Sequence, residues 1–176
     1  VILWSILQGL ILMLNKSFSL SVKKQIKSYN KIIYVDSDKS ISIRSFLLSS
    51  VSHNISHLNN ILESEDVLSA INCLKKLGVK IKKIQSKRYL VYGKGLGSLS
   101  AKKNTVLNFG NSGTLARLLI GLLSTNPEIH VKVKGDHSLN QRSMAKLIDI
   151  MNEFGATFKP KKNTYLPLTL ISSEMP

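Results

Sequence analysis

An α/β fold made of two copies of one strand–helix–strand–helix–strand–strand unit is what this sequence predicts, and three observations carry it. Apolar residues recur at helical spacing in some stretches and form short strand-length runs in others. The order of these stretches in residues 31–97 returns in residues 98–176. The segments Leu74–Ile81 (LKKLGVKI) and Met151–Phe158 (MNEFGATF) align at an offset of 77, with Gly78 over Gly155 and apolar residues over apolar ones.

In the first copy, a strand is expected near Lys31–Val35, then a helix over about Lys39–Val51 and a short strand near His57–Ile61. Val67, Ala70, Ile71, Leu74 and Leu77 predict a helix over about Glu65–Leu77, with Ser64 as N-cap and Gly78 closing it. Strands near Val79–Ile84 and Tyr89–Tyr92 complete the copy. Gly93, Gly95 and Gly97 (GKGLG) fail the last glycine of a dinucleotide-binding loop and lack its strand–helix setting, so they read as a flexible turn between the copies.

The second copy opens with a strand near Thr105–Phe109 and a helix carrying Leu115, Leu118, Leu119, Leu122 and Leu123. A strand over about Glu128–Lys134 leads to a helix with Met144, Leu147, Ile148, Met151 and Phe154, ended by Gly155. Strands near Ala156–Lys159 and Leu166–Ile171 finish it.

With 176 residues and 43% hydrophobic content, the chain can bury one sizeable core or two small ones. The single cysteine, Cys73, has no internal disulfide partner and reads as a buried thiol in a reducing, cytoplasmic setting. The net charge of +15 admits nucleic acid, an acidic membrane or small anions as partners. Lysine supplies 21 of the 25 basic residues, a skew that looks like coding bias, and the densest basic tract, Lys80–Arg88, is interrupted by Ile81, Ile84 and Gln85. Dispersed lysines without interleaved aromatics argue against a nucleic-acid-binding module. Residues 1–14 (VILWSILQGLILML) are too short to span a bilayer and lack a basic leader, so no membrane role is expected. Residues 1–12 read as upstream sequence outside the mature protein, ahead of a lead-in over 13–30; the competing reading is an organellar transit peptide, since the first 35 residues hold five lysines and no acid.

Arginine is scarce, and a guanidinium offers a rigid fork for phosphate and carboxylate oxygens that lysine cannot copy. Of the four, Arg44, Arg117 and Arg142 fall near predicted helix starts, where free N–H groups and the helix dipole favour anions. Arg44 follows Asp38-Lys39-Ser40, and Arg117 follows Gly110-Asn111-Ser112-Gly113-Thr114. Arg142 ends the run Gly135-Asp136-His137-Ser138-Leu139-Asn140-Gln141-Arg142. If the copies repeat, these strand-to-helix turns share an edge of the structure where α/β proteins bind ligands.

In order and spacing these three constellations, with Leu166-Pro167-Leu168-Thr169, resemble the motifs of the 5-enolpyruvylshikimate-3-phosphate synthase family, from about residue 30 to the end. The resemblance implies the enolpyruvyl transferase fold, an inside-out α/β barrel of six βαβαββ units, of which this chain supplies about two. It implies transfer of the enolpyruvyl group of phosphoenolpyruvate to the 5-hydroxyl of shikimate 3-phosphate, with release of phosphate, no metal and no organic cofactor, in an enzyme that is usually a monomer at full length. By motif, Lys39 would touch both substrates, Ser40 and Arg44 would hold shikimate 3-phosphate, and Gly113 and Arg142 would bind phosphoenolpyruvate. Asn111, Thr114 and Arg117 would be secondary members of the site. No catalytic acid or base is assigned in this chain, because the family's carboxylates belong to the other domain.

The sequence departs from the pattern at Asp36-Ser37, where Pro-Gly is common, at Ile43, where His is common, and at Ser143, where Pro is common. Gly113 stands where glyphosate-tolerant members often carry alanine, which implies a glyphosate-sensitive site. The sister transferase acting on UDP-N-acetylglucosamine pairs its lysine with asparagine, and Lys39-Ser40 with Arg44 argues against it.

Overall fold

The computed structural model describes residues 21, 30, 32, 33 and 35–174. The chain divides into two units, Val1–Val35 and Asp36–Pro176. In the first, the described residues belong to no helix or strand, and Ile32, Ile33 and Val35 are exposed. The strand expected at Lys31–Val35 is thus absent at those three positions: an apolar run becomes a strand only when a neighbour takes up its backbone hydrogen bonds. Lys31 and Tyr34 lie outside the described residues, as do segment 1–12 and most of the lead-in.

All further elements belong to the second unit. Helix α1 (Lys39–Ser50) starts at Asp38, whose carboxylate accepts the Ile41 N–H at 2.7 Å. It is buried on more than one side, and its buried serines are satisfied locally: Ser42 Oγ donates to the Asp38 carbonyl and accepts the Leu62 N–H, and Ser50 Oγ donates to the Leu47 carbonyl. Strand β1 (Ile55–Leu58) begins and ends earlier than the sequence suggests, because Asn54 and Asn60 bracket it with φ of 64° and 56°. Helix α2 (Glu65–Lys76) has Ser64 at its N-cap, but that hydroxyl makes no capping bond; Glu65 and Asp66 supply the negative charge that the first turn favours. Gly78, at φ 84°, turns the chain into β2 (Lys80–Gln85), which pairs with β3 (Arg88–Tyr92).

The second copy runs β4 (Val106–Asn108), α3 (Gly113–Ser124), β5 (His130–Lys134), α4 (His137–Asn140), α5 (Ala145–Glu153), β6 (Thr157–Lys162) and β7 (Tyr165–Ile171). Strand β5 starts at His130 rather than Glu128 because Glu128 has φ 58°. The short α4 has no apolar periodicity to announce it; it is made by Asp136, whose carboxylate accepts the Leu139 N–H at 2.7 Å.

The first sheet has strand order β1-β3-β2, all antiparallel, and the second β4-β5-β7-β6, with β4 parallel to β5. Strands β2 and β6 start and end 77 residues apart. Their pairings break register at corresponding places, between Lys83 and Gln85 and between Pro160 and Lys162. Among the described residues, β1 carries no neighbour equivalent to β4 on its outer edge. Both copies share one core: Ile43, Phe46, Leu74 and Val91 from the first, and Leu107, Leu119, Val131 and Leu170 from the second. Phe46 meets Tyr89 edge to face, ring centres 5.3 Å apart.

The glycine segment is not a loose turn. The Gly93 N–H donates to the Asn54 carbonyl, Lys94 N–H to Ser50 and Gly95 N–H to Ser52, so three amides are stitched to the end of α1. Flexibility was the wrong inference from composition: Gly93 provides close backbone approach, and Gly95 and Gly97 provide left-handed φ of 89° and 72°.

Glu63 fastens the loop before α2 to the first hairpin. Its carboxylate accepts from Lys83 Nζ at 2.8 and 3.0 Å, from Tyr89 Oη at 2.7 Å and from the Lys87 N–H at 3.1 Å. Led by the Lys83 and Tyr89 bonds, these hold its pKa down, from 4.5 to about 2. A depressed carboxylate stabilises the fold above its unfolded pKa, and that contribution is lost as pH falls through the folded value. Stability of the parent is therefore expected to fall between pH 4.5 and about 2, and Glu63→Gln should flatten that part of the curve. Thermal melts across the interval check this; parallel curves for parent and variant would refute it.

Candidate anion-binding site

Three loops build the site, and each is fixed by its own polar contacts. Asp38 caps α1 and leaves Lys39 and Ser40 in the first turn. Ser112 caps α3 by accepting the Leu115 N–H at 3.3 Å, which places Gly113 and Thr114 in that helix's first turn. The third loop is locked to the second: Asp136 N–H donates to the Gly110 carbonyl at 2.8 Å, and Phe109 N–H to Lys134 at 2.9 Å. Gly135 N–H donates to Asn140 Oδ1 at 2.9 Å, and a β-carbon at Gly135 would lie 2.6 Å from the buried Leu139 side chain.

Lys39, Arg44, Asn111, Gly113, Thr114, Arg117, Leu118 and Arg142 together line a cavity of about 470 Å³. Residues far apart in sequence thus converge on one place. Ser40 is half-buried in the first turn of α1 and is not part of the lining. Arg142 lies in the turn after α4, three residues before α5, rather than at the start of the long helix.

Asn111 organises the cations around it. Its Nδ2 donates to Asp136 Oδ2 at 2.8 Å and its Oδ1 accepts from Arg142 Nη2 at 3.3 Å, so one carboxylate orients one guanidinium through an amide. Asp136 is held below the usual carboxylate range, first by the Leu139 N–H and then by Asn111 and the nearby Arg142 charge. Arg117 Nη2 donates to the Ser143 carbonyl at 3.1 Å. Lys39 Nζ pairs with Asp66 Oδ2 at 2.9 Å, and Asp66 is only 16% exposed. Arg44 has no hydrogen-bond or ion-pair partner among the described residues.

Sequence reading did not single out Asp66 as part of the site. Its one signal was a Glu65-Asp66 pair in a first helical turn, where a carboxylate is already expected for the dipole. Leu118 was assigned to the apolar stripe and instead forms part of the cavity wall.

Four cations and the open starts of two helices surround the cavity, and neither a carboxylate nor a histidine lines it. Such a surface holds and orients anionic oxygens and offers no carboxylate or imidazole for proton transfer. Among the described residues no cluster of His, Cys, Asp or Glu could hold a metal ion, and no helix is long and apolar enough to cross a membrane.

Fold and site together define a repeat α/β protein that gathers two helix N-termini and three arginines round one cavity. The sequence pattern of the family described as EPSP synthase (3-phosphoshikimate 1-carboxyvinyltransferase) matches residues 23–175, and the chain belongs to that family. A relative from Syntrophomonas wolfei named 3-phosphoshikimate 1-carboxyvinyltransferase is 39% identical over 150 residues, covering 85% of this chain and 34% of its own. One of the same name from Oenococcus oeni is 40% identical over 148 residues, 84% of this chain and 33% of its own. Among solved structures, EPSP synthase from Acinetobacter baumannii superposes with a TM-score of 0.73 at 29% identity, over 80% of this chain and 31% of that one. The chain therefore spans about a third of the length of the relatives it matches.

Proposed function

We propose that this chain forms one wall of the site at which phosphoenolpyruvate and shikimate 3-phosphate are joined. The observation that carries the reading is the convergence of three separate loops on one carboxylate-free cationic cavity. Arg44 and Ser40 would hold shikimate 3-phosphate, Arg142 and the Gly113 region phosphoenolpyruvate, and Lys39 both, with Asn111, Thr114 and Arg117 supporting. Residues 31–97 and 98–176 would be two βαβαββ units of the six the fold requires.

In the addition step, the 5-hydroxyl oxygen joins C2 of phosphoenolpyruvate and gives up its proton while a proton reaches C3; loss of phosphate from C2 and of a proton from C3 then restores the enolpyruvyl double bond. Charge moves among phosphate and carboxylate oxygens throughout, and donors already aimed at those oxygens stabilise it without reorganising. This wall provides the donors. The family resemblance puts the acid and base carboxylates in the other domain, so the 176-residue chain alone should form no product. The names of the relatives favour this reaction over that of the UDP-N-acetylglucosamine enzyme.

The test is complementation of a strain lacking the synthase by this gene extended to the family's full length. Growth without aromatic supplements supports the reading. Failure of a soluble extended protein, or turnover by the purified 176-residue chain, would overturn it.

Gly113 gives a second, finer test. A β-carbon there would lie 3.2 Å from Arg142 Nη1, so the guanidinium must give by a few tenths of an ångström. In the extended enzyme, Gly113→Ala is expected to raise the KM for phosphoenolpyruvate and the inhibition constant for glyphosate, the former by roughly threefold to tenfold, since misplacement by 1 Å costs about a hundredfold. Unchanged values for both would remove Arg142 from the phosphoenolpyruvate side.

A further inference from the structure

Lysines dispersed along the sequence are gathered by the second sheet onto its outward face. Lys132 in β5 and Lys159 in β6 are each paired directly with Thr169 of the central β7, so the three residues form one cross-strand row. Lys134 stands two residues further along β5, and Lys161, at the register break between Pro160 and Lys162, joins it in lining the same depression. Strand spacing sets the α-carbons of Lys132 and Lys159 roughly 10 Å apart across β7. The four lysines line a depression of about 300 Å³ with Val106, Val133, Pro167, Leu168 and Thr169.

Coding bias explains why lysines are present but not why these lack partners. On the first sheet, Lys80 and Lys82 lie 4.8 and 5.9 Å from the centre of the Tyr92 ring, and Lys83 pairs with Glu63. On the second, the ammonium of none of the four has an ion pair, hydrogen bond or ring contact among the described residues. Strands β4 to β7 contain no Asp or Glu at all. Four like charges thus share one depression that no carboxylate lines.

We propose that this depression binds a small soluble anion carrying several phosphate charges, of the oligophosphate class, at a site separate from the cavity of Lys39 and Arg142. A linear oligophosphate can lie across the four lysines and meet more than one ammonium at once. No aromatic residue lines the depression, so it lacks the stacking platform that single-stranded nucleic acid uses. The inference does not depend on the enzymatic reading.

The test is titration of the 176-residue chain with tripolyphosphate, followed by calorimetry and by backbone amide shifts. Binding is expected, with shifts centred on Lys132, Lys159 and Thr169. Lys159→Gln/Lys161→Gln and Lys132→Gln/Lys134→Gln should each weaken it roughly tenfold, the size of two exposed charge contacts. Lys80→Gln/Lys82→Gln is expected to leave the affinity unchanged. No binding, equal losses in all three double variants, or shifts confined to the cavity of Lys39 and Arg142 would each overturn the proposal. So would much tighter binding of an oligothymidylate of equal charge, which would assign the face to nucleic acid. The shift map reads out on the unsubstituted chain and so survives any folding defect in a variant.

Discussion

Gly93→Ala is expected to destabilise the fold by about 3–5 kcal/mol, combining overpacking with the loss of stitched backbone bonds. A β-carbon at this position would lie 2.2 Å from the Ser52 carbonyl oxygen and 2.7 Å from that of Ser49, and neither can move without shifting the end of α1. That shift would strain the bonds from Gly93, Lys94 and Gly95 to Asn54, Ser50 and Ser52. Against a typical total of about 5–15 kcal/mol the loss is large. Gly121, inside α3, has nothing within 4 Å of where its β-carbon would be. Gly121→Ala should therefore stabilise, by about 0.5–1 kcal/mol through helix propensity. Urea midpoints of the two variants are expected to move in opposite directions. A Gly93→Ala midpoint at the parent value would show that the α1 seam yields freely.

Arg142→Ala is expected to lower kcat/KM of the extended enzyme by about a hundredfold to a thousandfold, the usual cost of removing one donor from a charge-stabilising site. The side chain is exposed and its one described bond is to Asn111, so the melting temperature should hardly change. Arg142→Lys keeps the charge but not the fork that Asn111 orients, and should recover only part of the loss. Steady-state kinetics on the three proteins decide it. Full activity of Arg142→Ala would mean that the Asp136–Asn111–Arg142 chain is only a structural clasp between two loops.

Most helices and strands were legible because each has a local cause. The α3 leucines, the glycines after α2 and α5, and the alternation in β5 and β7 all act within a few residues. The 77-residue offset was legible too, and the two hairpins keep it in their strands and register breaks. What failed depended on partners: the Lys31–Val35 strand at its described positions and the loose reading of Gly93–Gly97, while Ser64 holds the N-cap position without a hydroxyl bond. An apolar run does not state whether a neighbouring strand exists, and a glycine does not state whether it gives freedom or close approach.

By itself the sequence determined the repeat, the capped helix starts and which cationic residues stand near them, because capping and periodicity are short-range. Only the tertiary structure decided that Lys39, Arg44, Asn111, Gly113, Thr114, Arg117 and Arg142 share one cavity while Ser40 does not. It also decided that Asp66 meets Lys39, and that Lys132, Lys134, Lys159 and Lys161 face outward together. Those juxtapositions join positions as many as 103 residues apart, from Lys39 to Arg142, and follow from how the two copies pack around one core. Spacing along a chain cannot fix such distances; burial of shared apolar surface does.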